Sequence, residues 1–438
     1  MTSFQIALLS LAAILVLVYG GLHVPVAFCL VSLVGIWAIK GNLDQALSLL
    51  GMAANDAVAS YDFGVIPLFV LMGLLVSVAD LGRDAFVSAN ILLGRIRGGL
   101  GIATVGANAI FAAVTGVSIA SAAVFTKVAV PEMIRLGYRP RFAVGVVAGS
   151  SVLGMLIPPS LLLIVYGLLS QQSIGDLFLA GIIPGLALAL IFIVMIVGFA
   201  VFRPGMVYDK GIVAQEPEAA GSIWDALVLL APLVLLAVGV IGGIYAGWFT
   251  ATESGAIGAL GAFVIAALRR RLTWAGVWKV LVETGQVTVV ILFVIIAANI
   301  YTRLIALSGL AGVLSDAVTA ANLGAFGLML IYTVIVLLLG TILDGVSIML
   351  IMVPMFLPLL APFNVDLIWF GIMTVLAVEV GLLTPPFGLS VFVIKGTLDD
   401  PRITIGEIFR GAAPFALAMV FLLAVIALFP QIATILVK

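Results

Sequence analysis

Two short polar stretches in an otherwise apolar chain contain residues that could bind ions. The first is TGVSIAS, with Thr115 and Gly116, and the second is LDGVSI, with Asp344 and Gly345. The residues GVSI thus occur twice, 229 positions apart (345 − 116). Hydroxyl, carboxylate and carbonyl oxygens are the ligands that hard cations prefer. The repeated stretch therefore predicts two cation sites, each built around a Gly/Ser-rich interruption.

A double proline follows each GVSI stretch. Pro158–Pro159 lies in LIPPSLLL and Pro385–Pro386 lies in LLTPPFGL, 227 positions apart (385 − 158). Proline lacks a backbone N–H and breaks a helix, so carbonyl groups near Ile157 and Thr384 lose their helical partners. We expect these carbonyls to add ligands to the two sites. The sodium ligands predicted from both copies are Gly116, Ser118, Ile157, Asp344, Gly345, Ser347 and Thr384.

The same stretches could also hold an anion. Two short helices that meet at each GVSI would expose carbonyl groups where the first ends and N–H groups where the second begins, near Ser118 and Ser347. Asp344 lies between uncharged runs of 27 and 21 residues, where an ionised group is costly and indicates a functional site. The predicted substrate contacts are Thr115, Ser160, Arg303 and Asp344.

Each of these assignments has a structural alternative. Glycine and serine in membrane helices often only allow close packing, and Asp344 could pair with a buried basic residue. The Arg303 guanidinium could hold a carboxylate in its fork or extend to the lipid headgroups. Glu379, just before the second proline pair, could be functional or structural. We interpret His23 and Cys29 as structural.

The composition indicates an integral membrane protein. Of the 438 residues, 64% are hydrophobic and 9% are charged, whereas about a quarter are charged in soluble domains. Uncharged runs such as Leu177–Phe202 are long enough to cross a bilayer core of about 30 Å. The net charge of −1 gives no reason to expect nucleic acid as a partner. We interpret the first apolar run as a retained span.

The fixed offset divides the chain into two repeats of inverted topology, a plan typical of secondary transporters. Each repeat has two spans, a short amphipathic segment, a third span, a hairpin, a Pro-Pro helix and a last span. The amphipathic segments are NLDQALSLLGMAAN in the first repeat and TWAGVWKVLVETG in the second. The first repeat (1–202) contains scaffold helices 1–80, a hairpin 98–135, a Pro-Pro helix 141–170 and a last span 177–202. A cytoplasmic linker covers 203–222. The second repeat (223–438) contains scaffold helices 223–307, a hairpin 323–361, a Pro-Pro helix 366–396 and a last span 411–437.

Length and charge predict that the GVSI regions are re-entrant hairpins. The 37 residues from Gly98 to Ile134 would form a single helix of about 55 Å, too long for one span. Basic residues lie on both sides of this region, and a hairpin keeps them together on the cytoplasmic side. No Lys or Arg occurs between Leu304 and Val365, so the second hairpin enters from the opposite side. We predict an all-α protein with ten transmembrane helices, two re-entrant hairpins and both termini periplasmic.

The two hairpin tips and the IPPS and TPPFG breaks resemble those of the large membrane (M) subunit of tripartite ATP-independent periplasmic (TRAP) transporters. The resemblance covers essentially the whole chain. It implies an elevator-type, sodium-coupled importer of a C4-dicarboxylate or other organic acid in the bacterial inner membrane. It also implies two protein partners, a small membrane (Q) subunit and a periplasmic substrate-binding (P) protein. Two repeats suggest at least two sodium ions.

Two other functions remain open at this stage. A stand-alone divalent-anion/sodium symporter shares the inverted hairpins and needs no binding protein. A membrane phosphatase with inverted hairpins would need Glu and Arg or Ser clustered at the hairpin tips to handle phosphate. The tips lack a nearby basic residue, and the chain has no G-x-x-x-x-G-K-[ST] stretch for an ATP-driven pump. We therefore expect a transporter and no enzymatic activity.

Overall fold

The computed structural model describes residues 2–59, 61–209, 221–310, 312–313, 316, 324–398 and 400–437. Apart from one isolated bridge between Tyr138 and Tyr208, these residues form helices and their connections, which confirms the predicted all-α fold. Part of the predicted linker 203–222 and the start of the hairpin 323–361 lie outside the described residues.

The described part of the first repeat contains eleven α-helices, several of them short, and a twelfth lies in the linker. In chain order they are α1 (Ser3–Tyr19), α2 (Val24–Lys40), α3 (Leu43–Ala59), α4 (Val65–Val78), α5 (Leu81–Leu93), α6 (Gly99–Thr115), α7 (Ser118–Arg135), α8 (Pro140–Ser151), α9 (Leu153–Leu156), α10 (Leu161–Ser170), α11 (Ile174–Phe202) and α12 (Pro204–Val207). A 3₁₀ turn, Tyr61–Gly64, leads into α4.

The described part of the second repeat contains nine α-helices. They are α13 (Ile223–Tyr245), α14 (Ala251–Leu268), α15 (Trp274–Ser308), α16 (Ala325–Gly340), α17 (Gly345–Leu360), α18 (Leu367–Leu382), α19 (Leu389–Thr397), α20 (Ile405–Leu428) and α21 (Gln431–Thr434). A 3₁₀ turn, Ala361–Phe363, follows α17.

The helices of the described residues can be matched to the ten predicted spans. Seven are long and apolar enough to cross a membrane, and the bent pair α4–α5 adds an eighth candidate. One of the seven, Gly345–Phe363, contains the second arm of the second hairpin. Three shorter apolar helices, α1, α2 and α18, then complete the ten.

The amphipathic segments differ between the repeats. In the first, α3 is a separate helix, and the next span bends by 62° between α4 and α5. In the second, we expected TWAGVWKVLVETG to form a separate segment, which is wrong. Thr273 caps the 35-residue helix α15, which continues through this segment into the span without a break. The segment contains no proline, so nothing in it stops the helix.

Hairpin 1, formed by α6 and α7, has both ends on the same face of the protein. The Gly98 N–H donates to the Tyr208 hydroxyl at 2.8 Å, and the Leu100 N–H donates to the Tyr138 hydroxyl at 3.3 Å. Tyr138 follows the second arm, and its ring lies 4.9 Å from that of Tyr208, just beyond α12. The chain therefore returns at the end of the second arm to the face where the first arm begins, as a re-entrant hairpin requires.

Ion pairs join other segments that we assigned to the cytoplasmic side. Arg269 at the end of α14 pairs with Asp84 on α5, and Arg141 at the start of α8 lies 3.9 Å from Glu407 at the start of α20. In the loop after α19, hydrogen bonds from Arg402 lower the pKa of the Asp400 carboxyl to about 2. These contacts agree with the grouping of basic segments by charge.

One buried polar pair in each repeat ties the first hairpin arm to the Pro-Pro helix. Asn108 donates to Ser150 at 2.6 Å between α6 and α8. The hydroxyls of Tyr332 and Thr374 are 2.8 Å apart between α16 and α18. The last span of each repeat packs on the Pro-Pro helix of the other, α11 on α18 and α20 on α8. The hairpins, the Pro-Pro helices and the last spans therefore pack together as one unit, which we call the block.

The hairpin geometry predicts which segments share a side of the membrane. In a Cys29→Ser background, we expect Ile96→Cys and Arg141→Cys to react with a membrane-impermeant maleimide only after permeabilisation of spheroplasts. Tyr61→Cys should react without permeabilisation, because Tyr61 lies at the opposite face. Labelling of the Ile96 and Arg141 positions from opposite sides would contradict the re-entrant arrangement of hairpin 1.

Candidate functional site

The two Pro-Pro breaks each dock on the tip of the hairpin in their own repeat. The Leu161 N–H, after the first proline pair, donates to the Gly116 carbonyl at 3.1 Å. The Phe387 N–H, after the second pair, donates to the Thr341 carbonyl at 3.2 Å. Because proline has no N–H, each contact is made by a donor one or two residues beyond the proline pair. In each repeat the structure thus brings the predicted hairpin tip into contact with the predicted helix break.

Tip 1, residues 115–118, is enclosed by protein. Gly116 has φ +64°, and a Cβ there would lie 2.5 Å from the Pro159 carbonyl oxygen, so only glycine fits. Thr115 and Ser118 are buried, and the Thr115 hydroxyl donates to the Phe111 carbonyl at 3.0 Å. No side chain caps the start of α7, because Val117 occupies the capping position. The positive end of α7 therefore faces the tip without a built-in acidic group.

Tip 2, residues 341–345, is capped by its own acid. The Asp344 carboxylate accepts a hydrogen bond from the Ser347 N–H at 3.1 Å and another from the Ser347 hydroxyl. Our expectation that the Ser347 end of α17 offers free N–H groups to an anion is therefore wrong for Ser347 itself. An aspartate at the N-cap satisfies that donor and neutralises part of the helix dipole.

The polar residues beside the two breaks, Ser160 and Thr384, form different numbers of hydrogen bonds. Ser160 is fully buried and caps α10, accepting from the Leu163 N–H at 3.3 Å and donating to the Met155 carbonyl. Thr384 is half-buried and donates to the Val380 carbonyl at 2.7 Å. The hydroxyl proton of each residue is therefore already used, while the hydroxyl oxygens keep a lone pair.

The two breaks differ in exposure. Ile157 to Ser160 are all buried, whereas Pro385, Pro386 and Phe387 are exposed, and Phe387 retains 50% of its accessible surface. In this conformation the second break is the accessible one and the first is enclosed.

Two glycines that we did not single out occupy equivalent places beside the tips. Gly154 in GMLIPP and Gly381 in GLLTPP are 227 positions apart (381 − 154). A Cβ on Gly381 would lie 2.6 Å from the Gly340 Cα, and one on Gly154 would lie 3.1 Å from the Ser118 nitrogen. Each lets a Pro-Pro helix touch hairpin backbone. The extended G-x-L-x-P-P match was the signal in the sequence.

A buried polar cluster behind tip 1 was also missed. The Ser121 hydroxyl, one turn from Ser118, donates to the Asn108 side-chain oxygen, and the Asn108 amide donates to Ser150. All three side chains are fully buried. The asparagine in the apolar run GANAIFAAV was the available signal, because an uncompensated amide would be costly there.

Arg303 lies in a different part of the protein. Its guanidinium pairs with Asp56 on α3 at 2.9 Å and donates to the Leu49 carbonyl at 3.2 Å. It lines a cleft of about 1370 Å³ between scaffold helices and the start of α11, with Gln171, Asp176 and Thr250 among the other lining residues. No residue of either tip lines this cleft within the described part of the chain. The structure does not bring Arg303 together with the tips.

Comparisons with known proteins agree with these features. The family model described as "Tripartite ATP-independent periplasmic transporter, DctM component" matches residues 11–432. The chain is 33% identical to a "C4-dicarboxylate TRAP transporter large permease protein DctM" of Pseudomonas aeruginosa, covering 85% of each chain. It is 31% identical to a "Sialic acid TRAP transporter large permease protein SiaM" of Vibrio cholerae, covering 95% of this chain and 94% of that one. The solved Alcanivorax borkumensis YdaH transporter has a similar fold, with TM-score 0.62 at 16% identity over 92% and 96% of the chains.

The glycine contact at tip 2 predicts sensitivity to a single methyl group. We expect Gly381→Ala to destabilise the purified protein by about 1–3 kcal/mol, the usual cost of overpacking a tight contact, and to reduce transport. Gly198→Ala on α11 is the matched control, since nothing lies within 4 Å of its added Cβ. Thermal unfolding in detergent provides the measurement, and equal midpoints for the two variants would count against a close contact at Gly381.

Proposed function

Because the chain belongs to the DctM family of TRAP transporter large membrane components, we propose that it imports a small organic acid by sodium-coupled secondary transport. The acid would be delivered by a periplasmic substrate-binding protein. The observation that carries this proposal is the pair of tip–break contacts, Leu161 to Gly116 and Phe387 to Thr341. Interrupted helices that meet at a repeat interface are the usual binding architecture of secondary transporters.

A carboxylate is the substrate class that tip 1 favours. The start of α7 carries the partial positive charge of a helix N-terminus and has no capping side chain. Thr115 and Ser160 line the adjoining tip and break as polar contacts, and Asp344 contributes from tip 2. Two related permeases are named for C4-dicarboxylate and sialic acid, both carboxylates. We propose the same chemical class here.

Arg303 would act before the central site. Its ion pair with Asp56 faces the cleft on the side that we assign to the periplasm. The Arg303 guanidinium is paired with Asp56, and Asp176 also lines the cleft, so an incoming carboxylate would have to replace Asp56 in the fork of the guanidinium. We therefore propose that Arg303 lies on the access route and that residues at the tips make the final contacts with the substrate.

Sodium would bind in two places, one per repeat. At tip 1 the proposed ligands are Gly116, Ser118 and Ile157, and at tip 2 they are Asp344, Gly345, Ser347 and Thr384. Hydroxyl, carboxylate and backbone oxygens suit a hard cation. Binding sodium and the organic anion together cancels charge and lowers the cost of moving the loaded site through an apolar environment. A partly loaded carrier would move poorly, which couples the two fluxes.

The proposed movement is of the elevator type. Helices α1–α4 and α13–α15 would form the scaffold. The hairpins, the Pro-Pro helices and the last spans would move together, because the polar pairs Asn108–Ser150 and Tyr332–Thr374 tie each hairpin to its neighbour.

Two protein partners complete the proposal. The matching family is one component of a three-part transporter, so we propose a small membrane (Q) subunit and a periplasmic (P) binding protein as the other two. We place the complex in the bacterial inner membrane with both termini of this chain periplasmic.

Reconstitution tests the proposed function directly. Proteoliposomes with this chain, its small subunit and the binding protein should take up a labelled organic acid under an inward sodium gradient. We expect uptake at least tenfold above that in an equal potassium gradient, and none without the binding protein. Sodium-driven uptake that ignores the binding protein would instead support a stand-alone symporter. Undiminished uptake with choline in place of sodium would rule out the coupling.

Asp344 provides a residue-level test of the second sodium site. We expect Asp344→Asn to raise the half-saturating sodium concentration for uptake about tenfold or more, equivalent to about 1.4 kcal/mol of lost ion binding. Asp366→Asn is the matched control, because Asp366 also caps a helix but lies at the outer end of α18. An equal sodium response in both variants would show that Asp344 acts only as a helix cap.

A further inference from the structure

Most of the buried polar side chains in the described residues belong to serine and threonine. Glu379 on α18 is the only one in that group with a carboxyl group, which can carry a full charge. Its side chain lies in the interior, with 1% of its surface exposed. A carboxylate in such a place is costly unless hydrogen bonds and a positive charge compensate it. The contacts of this carboxyl group therefore indicate what compensates it.

Those contacts account for only one of its two oxygens. Oε1 accepts a hydrogen bond from the Ser118 hydroxyl at 3.1 Å. Oε2 is buried and has no hydrogen-bond partner among the described residues. Glu379 takes part in none of the ion pairs found in the described residues. An acceptor oxygen is thus left without a donor or a cation beside the start of α7.

The position of Glu379 is central to the block. Its neighbour Val378 lies against tip 2, where a Cβ on Gly345 would be 3.0 Å from the valine side chain. On the other side, Ser118 belongs to tip 1, and Gly154 of the first Pro-Pro helix approaches the Ser118 nitrogen. Glu379 therefore lies where both hairpins and both Pro-Pro helices converge.

The two tips also differ in their supply of negative charge. Tip 2 contains Asp344, whereas the residue at the same place in repeat 1, 229 positions earlier, is Thr115. TGVSIAS contains no acid at all, so tip 1 lacks an anionic ligand of its own. The carboxyl group of Glu379, which reaches Ser118 from the second repeat, is the acid that hydrogen-bonds to tip 1.

We propose that Glu379 is the anionic ligand of the sodium ion at tip 1, with Oε2 on the ion and Oε1 on the Ser118 hydroxyl. This inference rests on the sodium coupling proposed above and adds a ligand from the opposite repeat. A sodium ion held in this way joins hairpin 1 to α18, so loading of the site fastens the two repeats together. The site also gains full charge compensation in the protein interior.

Glu379→Gln tests the proposal, because glutamine keeps the size and one oxygen but removes the charge. The first readout is the thermal unfolding midpoint of the purified protein titrated with NaCl against KCl, which needs no transport. The second is the sodium dependence of uptake in proteoliposomes. We expect the sodium concentration for half-maximal stabilisation to rise about tenfold or more, since even groups that only support a metal ligand cost this much, and the Hill coefficient of uptake to fall.

Ser118→Ala and Thr126→Val provide the comparison within α7. Thr126 is buried on the same helix, and its hydroxyl has no partner among the described residues, so Thr126→Val should titrate like the wild type. Ser118→Ala should raise the sodium midpoint. Because Ser118 is itself a proposed sodium ligand, Glu379 needs a second variant of its own. If Glu379→Gln does not fold, Glu379→Asp decides, because it keeps the charge but shortens the reach of the carboxyl group: a sodium midpoint equal to that of the wild type overturns the proposal.

The remaining outcomes separate this inference from the function on which it rests. A wild-type protein that responds equally to sodium and potassium removes the sodium coupling itself. A wild type that responds to sodium, together with Glu379→Gln that titrates identically, overturns the role of Glu379 and leaves the coupling intact. A change confined to the pH dependence of uptake would show that a proton, and not sodium, occupies Oε2.

Discussion

The structure depends on how buried ends of interrupted helices satisfy their backbone groups. A helix that stops inside a protein leaves N–H and carbonyl groups without partners, and such groups are expensive away from water. Here the interruptions are placed in pairs, so that the donor beyond each proline pair meets a carbonyl at a hairpin tip. The glycines at 154, 340 and 381 follow from the same constraint, because backbone can meet backbone only where no Cβ intervenes. The polar residues that accumulate at these junctions are then available for ions and substrate.

Much of this arrangement could be predicted from the sequence, because it follows from local chemistry that is repeated. The GVSI copies and proline pairs marked both hairpins and both breaks, and the distribution of arginines indicated how hairpin 1 returns. The long helix α15 was missed because we interpreted the change from an amphipathic to an apolar pattern as a helix boundary, although no proline marks one. The hydrogen bonds of Asn108 with Ser150 and of Glu379 with Ser118 also could not be predicted from the sequence. They join residues 42 and 261 positions apart, and no local pattern encodes such pairings.

The two repeats differ at their hairpin tips, where we propose that the ions and the substrate bind. Asp344 caps its own helix at tip 2, while the start of α7 at tip 1 has no cap and borrows a carboxyl group from the other repeat. At tip 1 the positive end of α7 can attract an anion only where a cation offsets the Glu379 carboxyl group, whereas Asp344 favours a cation at tip 2. The two tips thus differ in electrostatic character, which agrees with the proposed transport of an anion together with a cation.

The exposure of the two breaks bears on the direction in which the site is open. Tip 1 touches the scaffold, where a Cβ on Gly73 of α4 would lie 3.0 Å from the Thr115 carbonyl oxygen, and break 1 is buried. Break 2 is exposed, and the cleft around Arg303 contains no tip residue in the part of the chain that the structure describes. In the topology proposed above, hairpin 2 enters from the periplasm, so the exposed break 2 beside its tip would face the cytoplasm. The proposed elevator movement would have to break this contact between Gly73 and Thr115, and because Gly73 has no side chain, little packing would be lost.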